Sequence, residues 1–263
     1  MDLELQGRTA LVSGSTQGIG YAIASALTAE GAEVVINGRT AAAVDAAISR
    51  LRSEHPGARP RGIAADLADS EETSLLLAEV GEVDILVNNV GLFGLAPFGD
   101  IADEDWQRYF DVNVMSGVRL SRAILPGMLH RGWGRIVFIA SESGVNVPAD
   151  MIHYGTTKAA MLALANGLAK LTRGTGVTVN SILGGPTYSD GVEAAVAQLA
   201  AAQSAPVEAV KAAIIAQNRT TLLERFIDPA EIASLVAYLA SPRSSATNGS
   251  AVRAEGGVLA TTL

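Results

Sequence analysis

Tyr154 and Lys158 stand four residues apart in a stretch patterned as a helix, so their side chains share one face, one turn apart. An ammonium beside a phenol favours the phenolate and is expected to lower the phenol pKa from about 10. A tyrosine tuned in this way serves as a general acid or base near neutral pH. Ser141 precedes Tyr154 by 13 residues and closes a short apolar run. From the end of a strand its hydroxyl can hold a substrate oxygen against the phenol. The chemistry suggested is proton transfer to or from an oxygen. Ser143 competes for the serine role, and Glu142 beside Ser141 either shapes the site or faces solvent. The plain alternative for the pair is a core tyrosine beside a surface lysine.

A second group is built for an anion. Ser13-Gly14-Ser15-Thr16-Gln17-Gly18-Ile19-Gly20 follows an apolar run and opens a helical pattern. Gly14 allows the tight turn, Gly18 lets the backbone approach a pyrophosphate, and Gly20 permits close packing of helix on strand. Free N–H groups and the positive end of the helix dipole then face the phosphate. Gly14, Ser15, Gln17, Gly18, Ile19 and Gly20 are therefore candidate cofactor ligands. Taken alone, three glycines at this spacing also describe a simple turn. The next apolar run ends Ile36-Asn37-Gly38-Arg39, without the acid that accepts from the ribose hydroxyls in NAD-binding chains. Arg39 directly precedes Thr40, a candidate N-cap. A cation is disfavoured at a helix N-terminus. A 2′-phosphate gripped by the guanidinium would reward it, which points to NADP(H). The alternative is a solvated surface arginine.

These groups need strands and helices to position them. Strand-like runs fall at 9–13, 34–36, 62–65, 83–87, 135–140, 177–182 and 251–253, and helical patterns fill the intervals. A long helix is expected from Asp103 to about Arg131, bent at Pro126. Others are expected from Tyr154 to Arg173, over 191–217 with a break near Pro206, and over 228–240 with Pro229 at its first position. Such alternation implies a doubly wound α/β fold with three layers around a parallel sheet. Ligands in such sheets bind beyond the carboxyl ends of the strands, where Ser141 and Asn88-Asn89-Val90-Gly91 both lie. No linker or repeat divides the 263 residues, so one domain is expected over 1–263.

Composition excludes several classes. Apolar residues are 49% and charged residues 17%, which suits a globular chain. There is no cysteine, hence no disulfide framework, iron–sulfur cluster or thiol nucleophile. The net charge of -8 gives no basic stripe for nucleic acid. The three histidines, His55, His130 and His153, complete no evident metal site. His153 either lines the substrate mouth or is packed. Trp106, Tyr109 and Phe110 share a helix and suit a core or a subunit contact. The uncharged stretches 174–189 and 194–207 are too short or too polar to span a bilayer, and the N-terminus does not read as a signal peptide. A soluble, cytoplasmic protein without membrane partners is the expectation.

Together these features resemble the short, single-domain branch of the short-chain dehydrogenase/reductase family, from Thr9 to Gly256-Gly257. The glycine loop matches, with Ser13 where threonine is commoner. Asn88-Asn89-Val90-Gly91 matches the Asn-Asn-Ala-Gly motif apart from Val90. Ser141, Tyr154 and Lys158 match the catalytic serine and the Tyr-x-x-x-Lys pair. Asn113, in Asp-Val-Asn-Val, resembles the family's structural and catalytic asparagine, and Asp66, in Ala-Asp-Leu with Leu67, the aspartate that contacts adenine. Asn89, Gly91, Thr187 and Ser189 are further cofactor positions by this resemblance. After the sixth strand Gly184 stands where the family has proline, and Ser189 where a threonine contacts the carboxamide.

The resemblance implies an NADP(H)-dependent interconversion of a carbonyl and a secondary alcohol, and a homotetramer. Tyr154 would pass the proton and Ser141 would orient the oxygen. Lys158 would lower the Tyr154 pKa and hold the nicotinamide ribose, and Asn113 would keep a relay water. A catalytically silent nucleotide-binding sensor or scaffold of the same fold is the alternative. An epimerase or dehydratase of the family's longer branch would require a further C-terminal domain. The Ala-rich segment 188–219 is expected to be a substrate lid over an apolar pocket, with Leu92, Phe93 and Met151 as neighbours.

Overall fold

The computed structural model describes residues 2–217 and 221–262. Seven strands form one parallel sheet: β1 (Thr9–Val12), β2 (Glu33–Gly38), β3 (Arg61–Ala64), β4 (Ile85–Asn88), β5 (Trp133–Ile139), β6 (Gly176–Gly184) and β7 (Ala251–Ala254). Their order is β3-β2-β1-β4-β5-β6-β7. The chain winds outward from β1 to β3, then crosses back to β4. The order therefore reverses between β1 and β4, which opens a crevice at their carboxyl ends.

Both faces of the sheet are covered, which is why the strands read as near-continuous apolar runs. Side chains alternate along β1: Ala10 and Val12 enter one core, Leu11 the other. The first core is closed by α1 (Gly18–Ala29), α2 (Ala41–Glu54) and α9 (Pro229–Ala240). The second is closed by α3 (Ser70–Val80), α5 (Ser116–Arg131) and α6 (Ile152–Leu171).

Local chemistry starts these helices where the sequence placed them. Thr40 Oγ1 accepts from the Ala43 N–H at 3.3 Å. Asp69 caps α3 through the N–H groups of Glu71 and Glu72. Asp228 and Glu231 form a reciprocal capping box, with Pro229 at the first position of α9. The long helix differs from expectation. α4 (Asp103–Phe110) and α5 are joined through one wide turn, Asp111–Met115, and Pro126 lies inside α5. The irregularity centres on Asn113, and wide turns of this kind occur often at functional sites.

The segment after β6 forms α7 (Asp190–Gln203) and α8 (Val207–Gln217), bent 109° from each other. They share a small core of Val196, Ala200 and Val210, joined by Tyr188, Val192, Ala205 and Ile214. Of the expected lid, residues 218 and 219 lie outside the described residues. Among the described residues no single helix is long and apolar enough to cross a membrane.

Candidate active site

The carboxyl ends of β4 and β5 and the start of α6 bring together the residues expected to handle the proton. Ser141 follows β5 and caps the short turn Glu142–Gly144. Its hydroxyl acts on the Tyr154 phenol and favours the ionised form. Lys158, one turn along α6, is 5% exposed. Its ammonium donates to the Ile139 carbonyl at 2.9 Å and lies 5.5 Å from the centre of the Tyr154 ring. The expected trio therefore forms on one wall.

The electrostatics differ from the sequence expectation. Burial pushes the Tyr154 phenol above its ordinary value; the Ser141 hydroxyl opposes this, and the Glu142 carboxylate and Tyr109 add to it. Burial also pushes Lys158 down to about 8, against the pull of Glu142. In the chain by itself desolvation is the largest cause of both shifts.

Asn113 is 1% exposed and braces the site. Its Oδ1 accepts from the Leu92 N–H at 2.6 Å, and its Nδ2 donates to the Leu92 carbonyl at 3.0 Å and to Thr157 Oγ1 at 2.9 Å. Thr157 in turn donates to the Tyr154 carbonyl at 2.7 Å. The side chain thus ties the segment after β4 to the turn of α6 that carries Tyr154. Gly91 lies between them: a Cβ there would sit 3.4 Å from Lys158 Nζ and 3.5 Å from Asn113 Oδ1.

The glycine loop forms a cradle at the start of α1. Gly14 and Gly18 have φ of +60° and +59°, the left-handed region that glycine enters freely. A Cβ on Gly20 would fall 2.3 Å from the Gly14 carbonyl oxygen, so helix and loop meet here only through glycine. Asn89 holds the loop shape: its Nδ2 donates to the carbonyls of Ser13 and Gly14, each at 3.0 Å. Ser15 is fully buried; its Oγ donates to the Val12 carbonyl at 2.7 Å and accepts from the Asn37 N–H. That leaves main-chain groups for a ligand. The N-cap Gln17 is exposed and makes no side-chain cap, and Ile19 packs against the core.

The cradle fits the pyrophosphate of a dinucleotide, and the chain itself shows that it takes an anion. The Asp190 carboxylate, at the start of α7, accepts from the Gly18 N–H. Ser189 lies beside the same glycine. At the end of β2, Arg39 is exposed and makes no hydrogen bond or ion pair among the described residues. A Cβ on the neighbouring Gly38 would fall 2.4 Å from Thr16 Cγ2, so an acidic side chain there would displace Thr16. Asp66, just past β3, is partly buried, and its Oδ1 accepts from the Ala68 N–H at 3.0 Å. The Leu67 carbonyl accepts from Arg119 at 3.1 Å. Thr187 is buried, with its hydroxyl donating to the Gly185 carbonyl at 2.9 Å.

Two functional positions escaped the spacing argument. Asp190 reaches Gly18 across 172 residues, a closure no local pattern announces. Glu142, left open between site and solvent, turns inward: its Oε2 accepts from the Ser141 hydroxyl at 2.5 Å. His153 is 4% exposed and packs 4.1 Å from the Tyr109 ring and 6.3 Å from Trp106. It faces α4 as a packed histidine. Among the described residues no cluster of His, Asp and Glu suits a metal ion.

A sequence profile described as short chain dehydrogenase matches residues 8–200. The uncharacterized oxidoreductase YvaG of Bacillus subtilis is 46% identical over 260 residues, 98% of each chain. The D-beta-hydroxybutyrate dehydrogenase of Cupriavidus necator is 33% identical over 97% of this chain and 99% of its own. Among solved structures, L-sorbose reductase from Gluconobacter frateurii, complexed with NADPH and L-sorbose, superposes with a TM-score of 0.93. It is 31% identical and covers 99% of this chain and 100% of its own. Fold, site and relatives agree: the chain is an oxidoreductase of the short-chain dehydrogenase/reductase family.

Proposed function

We propose that the protein is an NADP(H)-dependent oxidoreductase that interconverts a carbonyl and a secondary alcohol. The observation that carries this reading is the closeness of Lys158 to Tyr154, its ammonium 5.5 Å from the ring centre, with Ser141 acting on the same phenol. When bound, the nicotinamide gives or takes the hydride. In reduction Tyr154 delivers a proton to the carbonyl oxygen as the carbon gains that hydride; in oxidation the phenolate takes the proton back. Ser141 orients the oxygen, and Asn113 holds Tyr154 in place through Thr157. The positive charge of Lys158 makes Tyr154 a stronger acid and meets the nicotinamide ribose. Gly14, Gly18 and Gly20 cradle the pyrophosphate, Arg39 takes the 2′-phosphate, and Asp66, Leu67, Asn89, Gly91, Thr187 and Ser189 line the rest. The test is absorbance of the reduced nicotinamide with NADPH and a panel of cyclohexanone, hydroxyacetone and ethyl acetoacetate. NADPH binding without turnover across a wide carbonyl panel would leave a nucleotide-binding module instead.

Asp190 stands where the pyrophosphate goes and carries the same sign of charge. Asp190→Asn is expected to tighten NADPH by about threefold to tenfold, an effect of ~1 kcal/mol for a charge at a helix N-terminus. Calorimetric titration measures it; unchanged or weaker binding contradicts the placement. The same contact joins the cradle to α7, and residues 188–219 form the lid in this reading. Protease cleavage within the segment is expected to slow when NADPH and a substrate analogue are both present. Equal rates with and without them would show that the segment does not close. The functional unit is a homotetramer in this reading, and a monomer in sedimentation at micromolar concentration would contradict that.

Burial of Lys158 links stability to pH. Its folded pKa, about 8, lies below the ordinary 10.5. Between these values the unfolded chain binds more protons, so stability rises with pH through that window and is lost again as pH falls through about 8. Relative to Lys158→Met, the cofactor-free wild type should gain on the order of 3 kcal/mol from pH 8 to 10.5. Urea unfolding at several pH values reads this; parallel curves for the two proteins contradict it.

A further inference from the structure

Glu142 is an acid within the site that the proton transfer above does not use. It follows Ser141 directly and folds back over its own turn. Oε2 accepts from the Ser141 hydroxyl at 2.5 Å, and Oε1 accepts from Ser143 Oγ at 3.2 Å. The side chain is largely removed from water. Both α6 and β6 pack against this turn. From α6, the Tyr154 phenol and the Lys158 ammonium act on the same charge. β6 carries no titratable residue along Gly176–Gly184. Tyr109 of α4 also acts on the Tyr154 phenol.

Ser141 has one hydroxyl proton, and it can point one way at a time. A carboxylate competes for it better than a neutral carbonyl, because a hydrogen bond to an ionised acceptor is about twice as strong. The Ser141 oxygen also accepts from the Ser143 N–H at 3.1 Å. With Glu142 ionised, Ser141 offers the substrate oxygen no donor. With Glu142 protonated, its O–H donates to Ser141, whose own proton is then free to point at the substrate.

We propose that Glu142 is a positioning residue that decides where the Ser141 proton points, so that a protonated Glu142 turns the serine into a donor for the substrate oxygen and an ionised one withdraws it. The inference rests on the proposed carbonyl–alcohol reading. Burial raises the Glu142 carboxyl above the ordinary carboxylate range, with the two serine hydroxyls and nearby N–H groups opposing it, so the switch lies closer to neutral pH.

The test compares wild type with Glu142→Gln, whose amide N–H₂ donates permanently to Ser141. With saturating NADPH and the fastest ketone of the panel above, wild-type kcat/KM is expected to fall with pH. The fall should run up to tenfold per unit through the Glu142 titration, to a plateau lower on the order of a hundredfold, the size of a lost oxyanion donor. In E142Q that limb should disappear, with the rate held at the low-pH level. The same limb in both proteins, or an E142Q rate as low as that of Ser141→Ala at every pH, overturns the proposal. A second arm needs no turnover. Tyrosinate absorbance of the cofactor-free protein, with Tyr154→Phe subtracted, should show Tyr154 ionising at lower pH in E142Q, because the Glu142 charge opposes the phenolate. An unmoved titration overturns the proposal even if every ketone is reduced. A moved titration with no turnover of any carbonyl supports it and counts against the carbonyl–alcohol reading alone.

Discussion

Tyr154→Phe is expected to lower turnover by ~10²–10⁴-fold, the usual contribution of a positioned general acid or base. The substitution removes one oxygen and leaves the ring. That oxygen is the group on which the Ser141 hydroxyl acts. Ring packing against Lys158 persists, as does the cradle at Gly14–Gly20, so NADPH affinity should stay within about twofold, below 0.5 kcal/mol. Folding should also persist, because the phenol lies in a site where burial penalises its charged form and not its ring. Single-turnover absorbance and calorimetry separate the two quantities. Activity within a few-fold of wild type would remove Tyr154 from the proton path. Equal loss of binding and turnover would mean that the variant had disturbed the cradle.

Arg39→Ala is expected to weaken NADPH by about one to two decades and NADH hardly at all. A hydrogen bond to a charged group contributes ~1.5–3 kcal/mol, which sets that range. The structure supports the assignment in two ways. The guanidinium is exposed at the end of β2 with no ion pair among the described residues. Gly38 carries no acid to hold ribose hydroxyls, and a Cβ there would displace the Thr16 side chain. Affinities for both cofactors at fixed ionic strength decide the matter, because phosphate contacts are screened by salt. Equal losses for NADPH and NADH, or a wild-type preference for NADH, would overturn the assignment of Arg39.

By itself the sequence determined what depends on short-range periodicity. Buried strand runs alternate with helical spacing, and that pattern admits only a sheet covered on both faces, as β1 shows with Ala10 and Val12 on one side and Leu11 on the other. Caps at Thr40 and Asp228 are legible for the same reason, since a cap is satisfied within its own first turn. So are the glycine loop and the Tyr154–Lys158 face, where four residues of helix fix the geometry. Tertiary structure alone decided the rest. Asp190 meets Gly18, and Asn113 meets Leu92 and Thr157, only after the sheet has brought separate elements together. The direction of the Tyr154 and Lys158 shifts was equally invisible, because spacing reports which charges are near but not how much water is excluded around them. Desolvation is summed over every element packed on the site, and here it is the largest cause of both shifts.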